Sequence, residues 1–343
     1  MDNYKIKVIT NSETIETVEN ELIQPAGNKV LVKVDACAIC TLEQRVFNGT
    51  MKMYPFAGGH EAAGIIVSVG DKVKTVVSGD KVAVRLLNSC GVCYYCRSGS
   101  ENQCIESFKA NTHEGFSGPG GFAEYMLLED KQVFKMADDC DLTHASLAEP
   151  LACCVHSIRN ANIELSNDVV VVGVGIMGAM HIKLAKLCGA RVIATEISDE
   201  RLELAKKMGA DDVINSSKEN AVERVKELTQ SRGADAVFCT AALHTLAADS
   251  IQMGGKLSRV VMYSSFHPDV PVELNVNKLH SNEMIITGAL NPKVDDFQIA
   301  ARLISQRQID MSLIISGVYK LEDLTDAIRY ASNPSTYRVI IRP

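Results

Sequence analysis

The chain has 343 residues, 46% of them hydrophobic and 22% charged, and a formal net charge of −7. That length has room for about two domains, and the composition is ordinary for a soluble globular protein. An acidic balance with no offsetting Lys/Arg block argues against a nucleic-acid partner.

The opening segment MDNYKIKVITNSETIE holds no apolar run fit for a signal peptide, and the later apolar run at 169–174 is strand-sized. No membrane association is therefore expected. Eleven cysteines, an odd number, point to a reducing, cytoplasmic setting. Cys37, Cys140, Cys153, Cys154, Cys188 and Cys239 read as small apolar fillers.

In the first half, Val30, Val32 and Val34 alternate with polar residues as a half-buried strand requires. Residues 81–87 and 122–128 are further strand candidates, bounded by Gly79-Asp80 and Gly120-Gly121. Between them, Cys90, Cys93, Cys96 and Cys104 form the pattern C-x2-C-x2-C-x7-C. Four thiolates so close in sequence can close a tetrahedral shell around one zinc ion, leaving no position for chemistry. The competing reading is a disulfide cluster or a redox loop, which the reducing setting disfavours.

From about Asn167 the texture changes. Residues 169–172 are four consecutive valines, the mark of a parallel strand buried on both faces. GVGIMG follows, with Gly173, Gly175 and Gly178 fitting G-x-G-x-x-G, then a helical pattern on Met177, Met180, Leu184 and Leu187 that ends at Gly189. Residues 191–195 read as a second buried strand closed by Glu196. Ser198 reads as the N-cap of a helix with Asp199 and Glu200 in its first turn and Lys206 and Lys207 in its last, stopped by Gly209.

Strand–helix–strand–helix at this spacing predicts a doubly wound parallel sheet, an α/β Rossmann domain. The glycine turn, with Ile176 and Met177 inside it, would seat a pyrophosphate on the helix N-terminus. Glu196 would take the ribose hydroxyls and repel the extra phosphate of NADP, so NAD is favoured. Arg201 argues the other way, since it could tolerate that phosphate. A glycine turn kept only for packing is the alternative. The closing stretch carries helices at 294–305 and 321–331 and a last strand at 338–341.

A catalytic metal needs three protein ligands and one exchangeable position. Cys40 in ACAICTLEQR, His60-Glu61 in GGHEAAG and Glu149 in LAEPLACC are candidates, but they are far apart in sequence and spacing alone leaves the set open.

The order of motifs resembles the zinc-dependent medium-chain dehydrogenases, especially the sorbitol (polyol) and threonine dehydrogenase branch. The resemblance rests on A-x-x-I-C at Cys40, PFAGGHEAAGIIVSVG, GDKVAV, the four-cysteine loop, GGFAEYM, AEPLACCVHSI, the glycine fingerprint and the tail LISQRQIDMSLIISGVYKLEDLTDAI. It covers essentially the whole chain.

The resemblance implies a GroES-like β-barrel catalytic domain split over 1–150 and 287–343, carrying the structural zinc loop 90–104. A dinucleotide-binding domain at 151–286 would complete the active site at the cleft between them. Cys40 and His60 would be zinc ligands, and Glu61 and Glu149 would be ligands or adjacent carboxylates, giving two zinc ions per chain. A homodimer or homotetramer paired through edge strands of the nucleotide domain is also implied, with residues 258–265 expected to supply that edge. Zinc would lower the pKa of a bound alcohol, whose carbon would pass hydride to the nicotinamide.

One departure stands out. The family pattern after the zinc cysteine is Cys-x-Ser/Thr-Asp, whereas this chain reads Cys40-Thr41-Leu42-Glu43-Gln44-Arg45. Leu42 occupies the position of the proton-relaying hydroxyl, and a leucine relays nothing. Thr41 could substitute, Glu43 or Glu149 could accept the proton through a water, or a substrate group could serve; the carboxylate–water route is favoured. Arg45 is either a surface arginine or a cation for a substrate carboxylate or phosphate. The leading expectation is a zinc- and NAD-dependent dehydrogenase of a secondary alcohol, a polyol or related hydroxylated metabolite. The alternatives are an epimerase or lyase using NAD transiently and a non-catalytic nucleotide-binding regulator.

Overall fold

The computed structural model describes residues 3–107, 112–113, 115–266 and 269–343. The chain divides into two compact units, residues 1–152 with 293–343, and residues 153–292.

The second unit is built on a six-stranded, all-parallel sheet. In space its strands run Asp212–Asn215, Arg191–Glu196, Asp168–Val172, Ala234–Cys239, Gly254–Met262, Ile285–Gly288. The valine strand is central and buried at every residue, as its unbroken apolar run requires. Strand order reverses beside it, and this switch point is where doubly wound sheets open a crevice for ligands. The glycine turn lies at its carboxyl end.

The helix Asp199–Met208 begins and ends on the residues its charge pattern predicts. Ser198 Oγ accepts the Arg201 amide at 3.4 Å, and Gly209 closes the helix in the left-handed conformation at φ 110°. One expectation fails. Residues 258–265 are not an edge, because Gly254–Met262 is paired on both sides. The chain runs on past it, and Ile285–Gly288 forms the outer strand.

The first unit carries a seven-stranded, largely antiparallel sheet in which Lys29–Ala38 is flanked by Glu61–Val69, Tyr125–Glu129 and Arg338–Arg342. Its core is packed with Val30, Val32, Val34, Ile66, Val82, Phe122 and Met126, so the alternating pattern is read out on one face.

Register places the site. Ala38 pairs with Glu61, Glu61 pairs with Arg85, and Ile340 pairs with Ala38. Antiparallel pairing thereby gathers the end of one strand, the start of the next, the end of a third and the start of the last at one end of the sheet. Cys40, His60-Glu61, Arg85 and Arg338 all belong to that end. Among the described residues no helix is long and apolar enough to cross a membrane.

Candidate active site

Cys40 N-caps the short helix Thr41–Phe47, and Glu43 in its first turn folds back to complete a capping box. Glu43 is fully buried. Its Oε2 accepts the Cys40 amide at 3.0 Å, and its Oε1 accepts the Gly59 amide and His60 Nδ1, each at 2.9 Å. Gly59 is required here. Its φ is 96°, and a Cβ would lie 2.5 Å from the Phe122 amide nitrogen.

With Nδ1 held by Glu43, the ring presents Nε2, which lies 4.0 Å from Glu61 Oε1. Burial would raise the Glu43 carboxyl, but the His60 ring and the Gly59 amide outweigh it and hold it below its ordinary value. Burial would lower His60, yet the charges of Glu43 and Cys40 raise it well above the usual imidazole range.

Glu61, with no exposed side-chain surface, is clamped by Arg338. Arg338 Nη2 donates to Glu61 Oε1 at 2.6 Å and Nε donates to Oε2 at 2.9 Å, a two-pronged pairing. Nη2 also lies 3.6 Å from Cys40 Sγ. Arg338 was not singled out from the sequence. The available signal was an arginine opening an otherwise apolar strand, RVII, which cannot be buried without an acidic partner.

Glu149 sits in the first turn of the helix Ala148–Ala161. Two sets of potential ligand atoms share His60: Cys40, Glu43 and His60 in one, and His60, Glu61 and Glu149 in the other, each mutually within 4.8 Å. The structure therefore brings together Cys40, Glu43, His60, Glu61 and Glu149 from distant segments. Thiolate, imidazole and carboxylate donors at a partly buried point suit a borderline divalent metal. The histidine is already oriented by a carboxylate on its other nitrogen, as metal-bound histidines are. Thr41 starts the capped helix with an exposed side chain, Leu42 packs on the core, and Arg45 is partly buried on the same helix.

Cys90, Cys93, Cys96 and Cys104 also converge within 4.8 Å, and none of the eleven cysteines is joined in a disulfide. Backbone amides point at the sulfurs: Cys93 N at Cys90 Sγ (3.3 Å), Cys96 N at Cys93 Sγ (3.5 Å), and Cys90 N and Glu106 N at Cys104 Sγ (3.3 and 3.4 Å). The Cys96 amide pulls Cys93 down to about 6, and the Cys90 and Glu106 amides lower Cys104. Burial and the neighbouring Cys93 push Cys96 up to about 12. Two of the four thiols are thus set toward the thiolate that a metal ligand requires, and a divalent cation at the convergence would be needed to bring Cys96 to the same state.

In the second unit, Gly173 turns at φ 90°, and a Cβ on Gly178 would lie 2.0 Å from the Gly173 carbonyl oxygen. Gly175 N-caps the helix Ile176–Leu187, with nothing within 4 Å of where a Cβ would be. Glu196 closes the next strand. Its Oε2 accepts the Val174 amide at 2.9 Å, and Oε1 accepts the Ile197 amide at 2.8 Å. Arg201 Nη1 lies 3.8 Å from Glu196 Oε2. Gly173, Glu196, Arg201, Asn220 and Leu246 help line a cavity of about 630 Å³ at this end of the sheet.

Residues 26–138 match the family described as alcohol dehydrogenase GroES-like domain, and residues 173–306 match zinc-binding dehydrogenase. Sorbitol dehydrogenase of Bacillus subtilis (strain 168) is 31% identical over 340 residues, covering 96% of this chain and 94% of the relative. The 2-dehydro-3-deoxy-L-galactonate 5-dehydrogenase of Pseudoalteromonas atlantica is 28% identical over 334 residues, 96% of each. A solved structure from Sinorhizobium meliloti 1021, bound to NADP, superposes with a TM-score of 0.91 at 27% identity over the whole of both chains. The fold is thus a GroES-like domain joined to a Rossmann-like nucleotide-binding domain. Zinc and NAD(P) are the cofactors, and the activity is that of an oxidoreductase acting on CH–OH. The chain belongs to the zinc-dependent medium-chain dehydrogenases, on the polyol and threonine dehydrogenase branch.

Proposed function

We propose that this protein oxidises a secondary alcohol of a polyol, sugar alcohol or related hydroxylated metabolite to the ketone, with NAD as hydride acceptor. The observation that carries the reading is His60, pinned by Glu43 through Nδ1 and shared by two clusters of metal-ligating side chains. Cys40, His60 and Glu149 would hold the catalytic zinc, and Cys90, Cys93, Cys96 and Cys104 a structural one. When bound, the zinc would supply Lewis-acid polarisation of the alcohol and the nicotinamide would supply a hydride acceptor.

The chain's own residues divide the remaining work. Glu43 orients His60. Glu61, with both oxygens on Arg338, contributes charge behind the ligands. Leu42 is partly buried against the core and carries no proton-relaying group, Thr41 faces solvent, and both Glu43 oxygens are engaged. This favours Glu149, through the carboxylate oxygen not used on the metal, as the group that accepts the alcohol's proton through a water. Glu196, Glu219, Glu223 and Asp249 outnumber Arg201 and Lys226 around the nucleotide cavity, which supports NAD over NADP. The protein is read as cytoplasmic and as a homodimer or homotetramer, with residues 1–150 and 287–343 as the catalytic domain and 151–286 as the nucleotide-binding domain.

A fluorescence screen for NADH against polyols, hydroxy-amino acids and sugar acids, with metal content measured in parallel, tests the reading. Two zinc ions per chain with NADH formed from one substrate class are expected. Leu42 at the relay position favours one second reading, an epimerase or lyase that uses NAD transiently. That reading predicts substrate consumed without NADH accumulating. A single zinc would contradict the proposed open site.

A further inference from the structure

Arg85 ends the strand Lys81–Arg85 directly across from Glu61. Cross-strand partners in an antiparallel pair project on the same face with their Cβ atoms about 5 Å apart, so its side chain leaves the sheet on the face of Glu61, and its guanidinium lies within electrostatic range of Glu149. Arg85 is only 6% exposed, yet its Nε and Nη2 have no hydrogen-bond partner.

Those two nitrogens form the side of the guanidinium that grips a carboxylate or phosphate with two parallel bonds. Arg338, on the same end of the sheet, uses the same pair on Glu61. Burial works against the charge of Arg85, and Glu101 and Glu149 support it from within electrostatic range. Neither acid reaches the fork within hydrogen-bond distance. Glu101 Oε1 is committed to the Val294 amide at 2.8 Å, and Glu149 belongs to the metal-ligating group. A buried guanidinium with its fork unmet is costly to keep; both nitrogens are closed to solvent in this structure, so an incoming anion must move the covering side chains or swing the arginine to reach them, and would then recover that cost at a point shielded from water.

We infer that Arg85 is a specificity residue that binds an anionic substituent, a carboxylate or phosphate, carried by the substrate a few carbons from the alcohol being oxidised. The inference rests on the dehydrogenase reading above and narrows its substrate class to acidic or phosphorylated polyols.

The test has a binding arm and a turnover arm on zinc-loaded protein. Calorimetric titration with inorganic phosphate and with a short aliphatic hydroxy acid should give binding to the native protein. In Arg85→Lys and Arg85→Gln that binding should weaken by on the order of 10- to 100-fold, with zinc content and circular dichroism unchanged. Turnover is then compared across a neutral polyol, its terminal phosphate and its terminal carboxylate. The variants should raise KM for the charged members by a similar factor and leave the neutral one within about threefold. Preference for phosphate over carboxylate, or the reverse, identifies the anion.

Anion binding that is equal in native and variant proteins would overturn the inference. So would an equal loss on neutral and charged substrates, which would make Arg85 a brace for the strand. Arg85-dependent anion binding without any NADH would uphold the site and sink the dehydrogenase reading instead.

Discussion

Glu43 sits where the family pattern puts an acid, and its surroundings define its job. Each oxygen accepts from the frame that presents His60 and Cys40, so the carboxylate sets the position of two candidate ligands at once. Glu43→Gln keeps the volume but turns one acceptor into a donor against Nδ1–H. Zinc affinity should fall by about 10- to 100-fold, the usual cost of removing such a partner, read by competition with a chelating dye. If Glu43 were instead a general base, turnover would drop beyond about a hundredfold at full metal occupancy. His60 carries a second consequence. Burial lowers its pKa, but Glu43 and Cys40 raise it further, to well above the ordinary imidazole value. The ring is protonated below that raised pKa, and a metal must displace the proton. Zinc affinity should therefore decline as pH falls through it, starting at a higher pH than an ordinary histidine would give. An affinity independent of pH between 8 and 6 would contradict this.

At the scale of elements, the helix after the glycine turn carries a polar contact unrelated to its apolar pattern. His181 is fully buried, with Nδ1 2.7 Å from the Met177 carbonyl oxygen, Nε2 2.9 Å from Ser157 Oγ, and the Phe238 and Tyr263 rings at 4.7 Å. Burial pushes the imidazole down to about 4 against the opposing Met177 bond. The folded pKa lies below the unfolded value of about 6.5, so the unfolded chain binds the proton more readily. Neutral His181 favours the fold fully above the unfolded pKa, and that advantage is lost as pH falls from about 6.5 toward 4. It amounts to on the order of 3 kcal/mol. Urea midpoints of the native protein should fall over that window, and His181→Gln should flatten the slope. The four-cysteine loop follows the opposite logic. Its geometry is local, set by amides two to fourteen residues from the sulfurs they face.

At the scale of the whole molecule, the two units have separate cores. Val30, Ile66, Phe122 and Ile341 belong to one, and Val170, Ile193, Val237 and Val260 to the other. Both candidate metal clusters fall in the first unit and the nucleotide cavity in the second. A ligand stabilises the unit that binds it by mass action. A chelator should lower the thermal transition of the first unit, followed by exchange of strand amides such as those of Lys29–Ala38. NADH should raise protection of Asp168–Val172 and Arg191–Glu196. Equal movement of both sets of amides under chelation would contradict the assignment of both metals to one unit.

What the chain reveals by itself is what short stretches of it build. The cysteine loop, the valine strand, the glycine turn and the capped helix after Ser198 are each made by neighbours in sequence, so residue type and spacing suffice to read them. The outer strand of the parallel sheet was misread because apolar content does not tell an internal strand from an edge; only pairing on both sides of Gly254–Met262 does. The convergence of Cys40 and Glu43 on His60 from one side and of Glu61 and Glu149 on it from the other, the grip of Arg338 on Glu61 and the unmet fork of Arg85 were likewise decided by tertiary structure. Strand register brings residues 38, 61, 85 and 340 side by side, and no local pattern encodes which charges will meet there. Resemblance to a family named the ligands, but the charges around them, and the preference for an anion inferred from them, follow from how the strands pair.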